Sequence, residues 1–130
     1  MGGDMTVSNS GAFSERFLSA VVGQRVDAIG FPYQTSYSIC LGNGAGFTIH
    51  SKSMLSDATG SYVTFETGFR ARLCEVLGET IQQMHNRGEE YELSFSNGTH
   101  LVISDRGEDF DGPEGGLFTY EDLLIVFTGV

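Results

Sequence analysis

The chain is short of the residues that staple, kink or anchor a polypeptide: two cysteines, two prolines and no tryptophan in 130 residues. Two cysteines are too few for a disulfide framework. Cys40 falls in a strand pattern and Cys74 in a helix pattern, so both are expected to be buried, reduced thiols. No apolar run approaches the ~18–20 residues that a membrane span needs. The opening MGGDMTVSNSG lacks the basic start and apolar stretch of a secretory signal, and residues 1–12 read as a disordered lead. The location expected from these absences is the cytoplasm.

Basic charge is also scarce. Seven Lys and Arg stand against seventeen Asp and Glu, for a net charge of −10. Residues 1–65 hold three bases and four acids (−1), whereas residues 66–130 hold four bases and thirteen acids (−9). A field of this sign repels nucleic acid and anionic lipid and favours a basic protein. Neither nucleic acid nor a membrane is expected as a partner.

Catalytic signatures are missing too. The chain has no nucleophile elbow, no phosphate-binding glycine loop and no Cys/His pairing at metal spacing. His50, His85 and His100 come from separate segments, and a zinc site shared by His50 and His100 lacks a third ligand. The expectation is a protein that is not an enzyme, with no catalytic residue, metal or cofactor.

What is present is a globular composition, 40% hydrophobic with ten Phe, and eighteen Gly that mark tight turns. One domain is expected over residues 13–130. Inside it the chain repeats itself. "VVGQRV…YSICLGNGAGFTI" (residues 21–49) aligns with "VLGETI…YELSFSNGTHLVI" (residues 76–103). Gly23 matches Gly78, Val26 matches Ile81, Tyr37 matches Tyr91, Asn43-Gly44 matches Asn97-Gly98 and Ile49 matches Ile103. The offset is 55 residues before the first loop and 54 after it.

Such a period points to a duplicated structural unit, with halves 13–66 and 67–130. Tyr37, Ile39 and Leu41 alternate with small or polar residues, as do Tyr91, Leu93 and Phe95, which is the period of half-buried strands. Asn-Gly then predicts a tight hairpin in each copy. Upstream, Phe17, Leu18 and Val21 are spaced for one helical face, with Ser14 as cap and Gly23 as terminator. Phe69, Leu73, Val76 and Leu77 do the same, between Thr67 and Gly78. A strand is expected between helix and hairpin (Val26–Phe31; Thr80–Met84), and each unit closes with its own last strand (Tyr62–Phe65; Leu123–Phe127). The fold class is α+β: a helix-plus-antiparallel-meander unit twice over, about six to eight strands with two short helices packed on the sheet.

Matched positions are apolar, glycine or turn residues, so function belongs where the copies diverge. "GFPYQTS" (residues 30–36) replaces "HNRGEE" (residues 85–90), and its Phe31 and Tyr33 are expected to plug a core edge. Residues 51–61, "SKSMLSDATGS", read as a polar surface loop. The third stretch, "SDRGEDFDGPEGGLFTYED", places seven acids against Arg106 within residues 105–122. Its spacing does not fit an EF-hand. A long acidic loop with interleaved aromatics suits a basic protein partner. The candidate partner-binding residues are Asp105, Glu108, Asp109, Phe110, Asp111 and Glu114, with Glu89 and Glu90 beside them.

The run Val/Leu-Gly-x-x-Val/Ile, then Tyr-x-Ile/Leu-x-Leu/Phe, then Asn-Gly before an apolar strand resembles small bacterial proteins of unknown function with a duplicated hairpin unit. The tail "ISDRGEDFDGPEGGLF" looks like their Gly-Pro-Glu ending. Some of these proteins are similar to immunity proteins, which are encoded beside antibacterial toxins and neutralise them in the producing cell. The resemblance covers residues 13–127 and implies a non-catalytic inhibitor of a toxin with a basic active-site cleft. The alternatives are a small-ligand or metal-binding module, and a structural protein that forms a homodimer through a sheet edge.

Overall fold

A computed structural model describes residues 6–9 and 15–128. The chain runs β1 (Thr6–Asn9), α1 (Glu15–Val21), β2 (Val26–Gly30), β3 (Tyr37–Leu41), β4 (Gly46–Ile49), β5 (Ser53–Asp57), β6 (Gly60–Val63), α2 (Phe69–Cys74), β7 (Ile81–Asn86), β8 (Glu90–Phe95), β9 (His100–Ser104), a 3₁₀ turn at Gly107–Asp109, β10 (Gly116–Tyr120) and β11 (Leu123–Phe127). The class is α+β with two short helices. The described strands number eleven, above the six to eight expected.

Two sheets share one core. The first has the order β1-β11-β10-β4-β3-β2 and the second β6-β5-β9-β8-β7. Pairing is antiparallel except between β1 and β11, which are parallel. Thr6–Asn9, expected in a disordered lead, therefore forms a strand. The segment 51–61, expected as a surface loop, is mostly the hairpin β5–β6. Strand β10 likewise occupies part of the expected loop 105–122.

Connectivity departs from the expected plan at one place. Each half does form a meander, β2-β3-β4 and β7-β8-β9, but neither closes its own sheet. Hairpin β5–β6 crosses over to pair with β9, and β10–β11 crosses to pair with β4. The crossings share a register: Phe118 faces Phe47 in one sheet and Leu55 faces Leu101 in the other. All four side chains are buried.

The meanders also touch directly. Gly23 N donates to Ile81 O at 2.7 Å, and Gly78 N donates to Val26 O at 2.8 Å. Val26 N donates to Glu79 O at 2.8 Å, and Ile81 N to Gln24 O at 2.9 Å. These four bonds are two pairs related by the 55-residue offset, joining the edge strands β2 and β7 where each leaves its helix. Gly23, just past α1, and Gly78, closing the turn after α2, have φ of +87° and +85°, left-handed values that favour glycine.

Both Asn-Gly turns close a hairpin by a route other than the two-residue turn the dipeptide suggests. Leu41 N bonds Ala45 O at 2.8 Å and Phe95 N bonds Thr99 O at 2.9 Å, so each loop has three residues, with only the glycine (Gly44, Gly98) at positive φ. The asparagines have a different task. Asn43 Oδ1 accepts from Ala45 N at 3.0 Å while its Nδ2 donates to Ala20 O at 2.9 Å. Asn97 Oδ1 accepts from Thr99 N at 3.1 Å while its Nδ2 donates to Glu75 O at 3.3 Å. Each side chain satisfies a carbonyl left open near a helix C-terminus.

The core is aromatic. Phe17 of α1 meets Phe118 edge-on at 4.8 Å and Phe47 at 6.3 Å. Tyr91 packs on Phe127 at 5.2 Å, and Tyr37 on Phe69 of α2 at 5.6 Å. Burying each ring stabilises the fold by about 1.5–3 kcal/mol before entropy is counted. On α2, Phe69 and Leu73 point inward; the helix stops at Cys74, short of the expected Val76 and Leu77, which lie in the following turn with Val76 buried and Leu77 52% exposed. Thr67 is not the cap; Gly68 stands there at φ +94° without a side-chain bond. The expected cap Ser14 lies outside the described residues. Both cysteines are exposed, against expectation. Alternation along β3 turns Cys40 outward between the buried Ile39 and Leu41.

Candidate functional site

The three stretches that break the internal pattern meet at one end of the molecule. Their framework is the pair of crossover segments that carry the hairpins between sheets. Segment 50–52 links β4 to β5, and segment 105–115 links β9 to β10. They run side by side. His50 N donates to Gly115 O at 2.7 Å, Asp111 N to His50 O at 2.8 Å and Lys52 N to Asp109 O at 2.9 Å. Ser51 and Phe110 form a β-bridge, and Ser51 Oγ donates to Ser104 O at 2.6 Å. The acidic stretch is thus a pinned strap.

Its acids divide by direction. Asp105 is fully buried, Oδ2 accepting from Tyr91 Oη at 3.0 Å, while its backbone N–H donates to Glu89 O at 2.8 Å. It stands behind the surface, which corrects the expectation that it meets a partner. It follows directly on β9, whose last residue, Ser104, is buried as well, so alternation has ended by this point and does not mark the inward turn. Asp109 is partly turned inward, accepting from Ser104 Oγ at 2.6 Å. Asp111, exposed, accepts from Thr35 Oγ1, tying the strap to the 30–36 loop. Glu89, exposed, accepts from Arg106 Nε at 3.2 Å, tying it to the 85–90 loop. Glu108 is exposed, with no side-chain hydrogen bond or ion pair among the described residues. Glu90 and Glu114 are half-buried. Phe110, also half-buried, lies so close over Gly115 that a Cβ there would sit 2.6 Å from its ring.

A recess of about 330 Å³ opens beside the strap, bordered by Thr35, His50, Lys52, Phe65, Glu108 and Phe110. A second, of about 290 Å³, lies between Lys52, Glu90, Arg106 and Asp109. His100 belongs elsewhere: its Nδ1 lies 3.2 Å from Glu92 Oε2 and 3.1 Å from Ser94 Oγ. Among the described residues no three of His, Cys, Asp and Glu gather as a metal site. Ser51 and Ser53 spend their hydroxyls inside the fold, Ser53 with Tyr37 Oη at 2.6 Å. Burial pushes the Tyr37 phenol far above the ordinary tyrosine range, the bond to Ser53 opposing only in part.

The aromatic stretch behaves differently from its expected role as a core plug. Phe31 packs partly against the core, but Tyr33 is 70% exposed. Phe65, absent from the expected site, borders the recess with its backbone at φ +62°, a strained value for a non-glycine residue. No dipeptide signal in the sequence marks that conformation.

No helix among the described residues is long and apolar enough to cross a membrane. Compared with known proteins, the chain matches no family model, no curated protein and no solved structure.

Proposed function

We propose that this chain is a non-catalytic immunity protein that acts in the cytoplasm, binding a cognate bacterial toxin through an acidic surface. The observation that carries the reading is the convergence of the divergent stretches on one end, joined through Thr35–Asp111, Ser51–Phe110 and Arg106–Glu89. There Glu108, Asp111 and Glu89 are exposed, as is Tyr33 of the 30–36 loop, while Phe110 is half-buried. The strap's backbone is already hydrogen-bonded, so binding orders little that is not ordered beforehand. A basic cleft built for phosphates accepts such carboxylates in their place. Serine hydroxyls committed inside the fold and acids tied to Arg and Ser suit recognition better than chemistry.

The same proposal includes an origin. The scaffold is two copies of one helix-plus-meander unit that trade their last hairpins. Its support is the 55-residue relation between the reciprocal bonds of Gly23 and Gly78, the two three-residue hairpin loops and the paired roles of Asn43 and Asn97.

The test is co-expression with the product of the adjoining gene. Cells that this product kills are expected to survive when the chain is present, and the two proteins to co-purify. Glu108→Lys with Asp111→Lys slows association by roughly tenfold at low salt and by less at high salt. An affinity indifferent to both reversals removes the acidic surface from the reading. Absence of both protection and co-purification removes the toxin.

A further inference from the structure

Across the Phe65 ridge from the acidic strap lies a cation of unusual standing. Among arginines with described side chains, Arg25 pairs with Asp27 at 2.9 Å, Arg72 with Glu75 at 3.2 Å, Arg87 with Glu92 at 2.5 Å and Arg106 with Glu89 at 3.2 Å. Arg70 has no carboxylate within ion-pair distance among the described residues. It is held by rings instead. Its guanidinium carbon lies 5.2 Å from the Phe31 centroid and 5.1 Å from that of Phe65, and Nη2 donates to Gln34 O at 3.3 Å. Phe65 is in turn braced edge-on by Phe69 at 5.7 Å. The strained backbone of Phe65 thus supports one of the two aromatic contacts. Beside the guanidinium is a recess of about 420 Å³ bordered by Gln34, Phe65, Glu66, Gly68 and Ala71.

We propose that Arg70, held over the rings of Phe31 and Phe65, is a binding site for a carboxylate presented by a protein partner. The two rings and the Gln34 carbonyl hold the guanidinium in place, and its remaining N–H groups offer a fork that matches a carboxylate. Aromatic contacts also favour the cation's position without neutralising it. Glu66 borders the recess and Asp111 lies beyond the ridge, so a phosphate of nearly two charges is repelled more than a carboxylate of one. The site rests on the reading that this end meets a protein. It adds that the partner sets an acidic side chain beside its basic surface, so the complex has one register: acids to bases on the strap, base to acid at Arg70.

The probe is the α-amide of N-acetylglutamate, which carries a single carboxylate, titrated into the full chain and followed by the arginine Nε–Hε and backbone amide signals in NMR. The expected result is a saturable shift of Arg70, Gln34 and Ala71, at least threefold larger than at Arg25, Arg72, Arg87 or Arg106. Inorganic phosphate binds several-fold more weakly. Glu66→Gln tightens the probe several-fold, and Arg70→Lys, which keeps the charge but loses the fork, abolishes the amide shifts. Equal shifts at all arginines, or tighter binding of phosphate, would overturn the proposal. Binding of the probe by a chain that fails to recognise the adjoining gene's product would leave this site standing and sink the toxin reading alone.

Discussion

Tyr91 donates its phenol to Oδ2 of Asp105 at 3.0 Å, with Tyr91 1% exposed and Asp105 fully buried. The strap's first residue is therefore an anchor. Asp105→Ala removes this acceptor from the phenol and is expected to cost about 1–3 kcal/mol, whereas Asp105→Asn, which keeps an acceptor, costs less. Urea midpoints read the difference. Equal stability for wild type and Asp105→Ala would mean the strap does not depend on this bond.

Asn43 and Asn97 tie hairpin to helix end, so their loss is expected to exceed that of a turn residue alone. Asn43→Ala should destabilise by about 1–2 kcal/mol and Asn97→Ala by less, since Asn97 is exposed and its bond to Glu75 O is the longer, 3.3 Å. Asn→Asp at each position separates the two roles in the same unfolding assay: the acceptor stays and the donor is lost.

Gly116 marks where β10 meets β4. Its φ is +145°, and a Cβ there would lie 2.2 Å from the Thr48 carbonyl oxygen. Backbone cannot yield as a side chain does, so Gly116→Ala is expected to cost at least ~2–3 kcal/mol. Gly115→Ala meets the Phe110 ring first, a side chain that can shift, and should be milder. Thermal unfolding of the two variants ranks them, and the reverse order would refute the close approach.

The phenol of Tyr37 resists ionisation in the folded chain because it is buried. Its folded pKa lies above the unfolded value of about 10. The stability it contributes is therefore complete below pH ~10 and is lost as pH rises above it, when only the unfolded chain ionises. The slope is one proton, about 1.4 kcal/mol per pH unit. Tyr37→Phe loses the Ser53 bond at neutral pH but should flatten that alkaline decline. Urea midpoints measured from pH 8 to 11 test this, and parallel curves for the two proteins would exclude it.

Cys40 and Cys74 are exposed. Both are expected to react with a thiol reagent in the native protein at a rate within about tenfold of that in denaturant. Two slow thiols would restore the buried arrangement that their sequence context suggests.

That discrepancy shows what the sequence can and cannot disclose. The hairpins β3–β4 and β8–β9 are legible because alternation and Asn-Gly are local signals, and the end of α1 is legible from Gly23, whereas α2 stops at Cys74, four residues short of Gly78. Strands β5 and β10 are not, since only Leu55 in one and Phe118 in the other are apolar and fully buried. Their pairing depends on partners far along the chain, and no local period encodes which sheet a hairpin will join. The acidic strap was visible as composition. Its pinning on residues 50–52, the inward turn of Asp105 and the placing of Arg70 over two rings follow from tertiary neighbours alone.

The crossing of hairpins has a kinetic corollary. Ile49 waits for Gly116 to complete its sheet, so β4 keeps an unpaired edge while residues 50–115 are synthesised. The five-stranded sheet draws all its strands from residues 53–104 and can pair before β10 exists, so the six-stranded sheet is the one that closes last. During that interval the bare edge is open to other chains, and a nascent molecule is at its most vulnerable to clumping with its siblings.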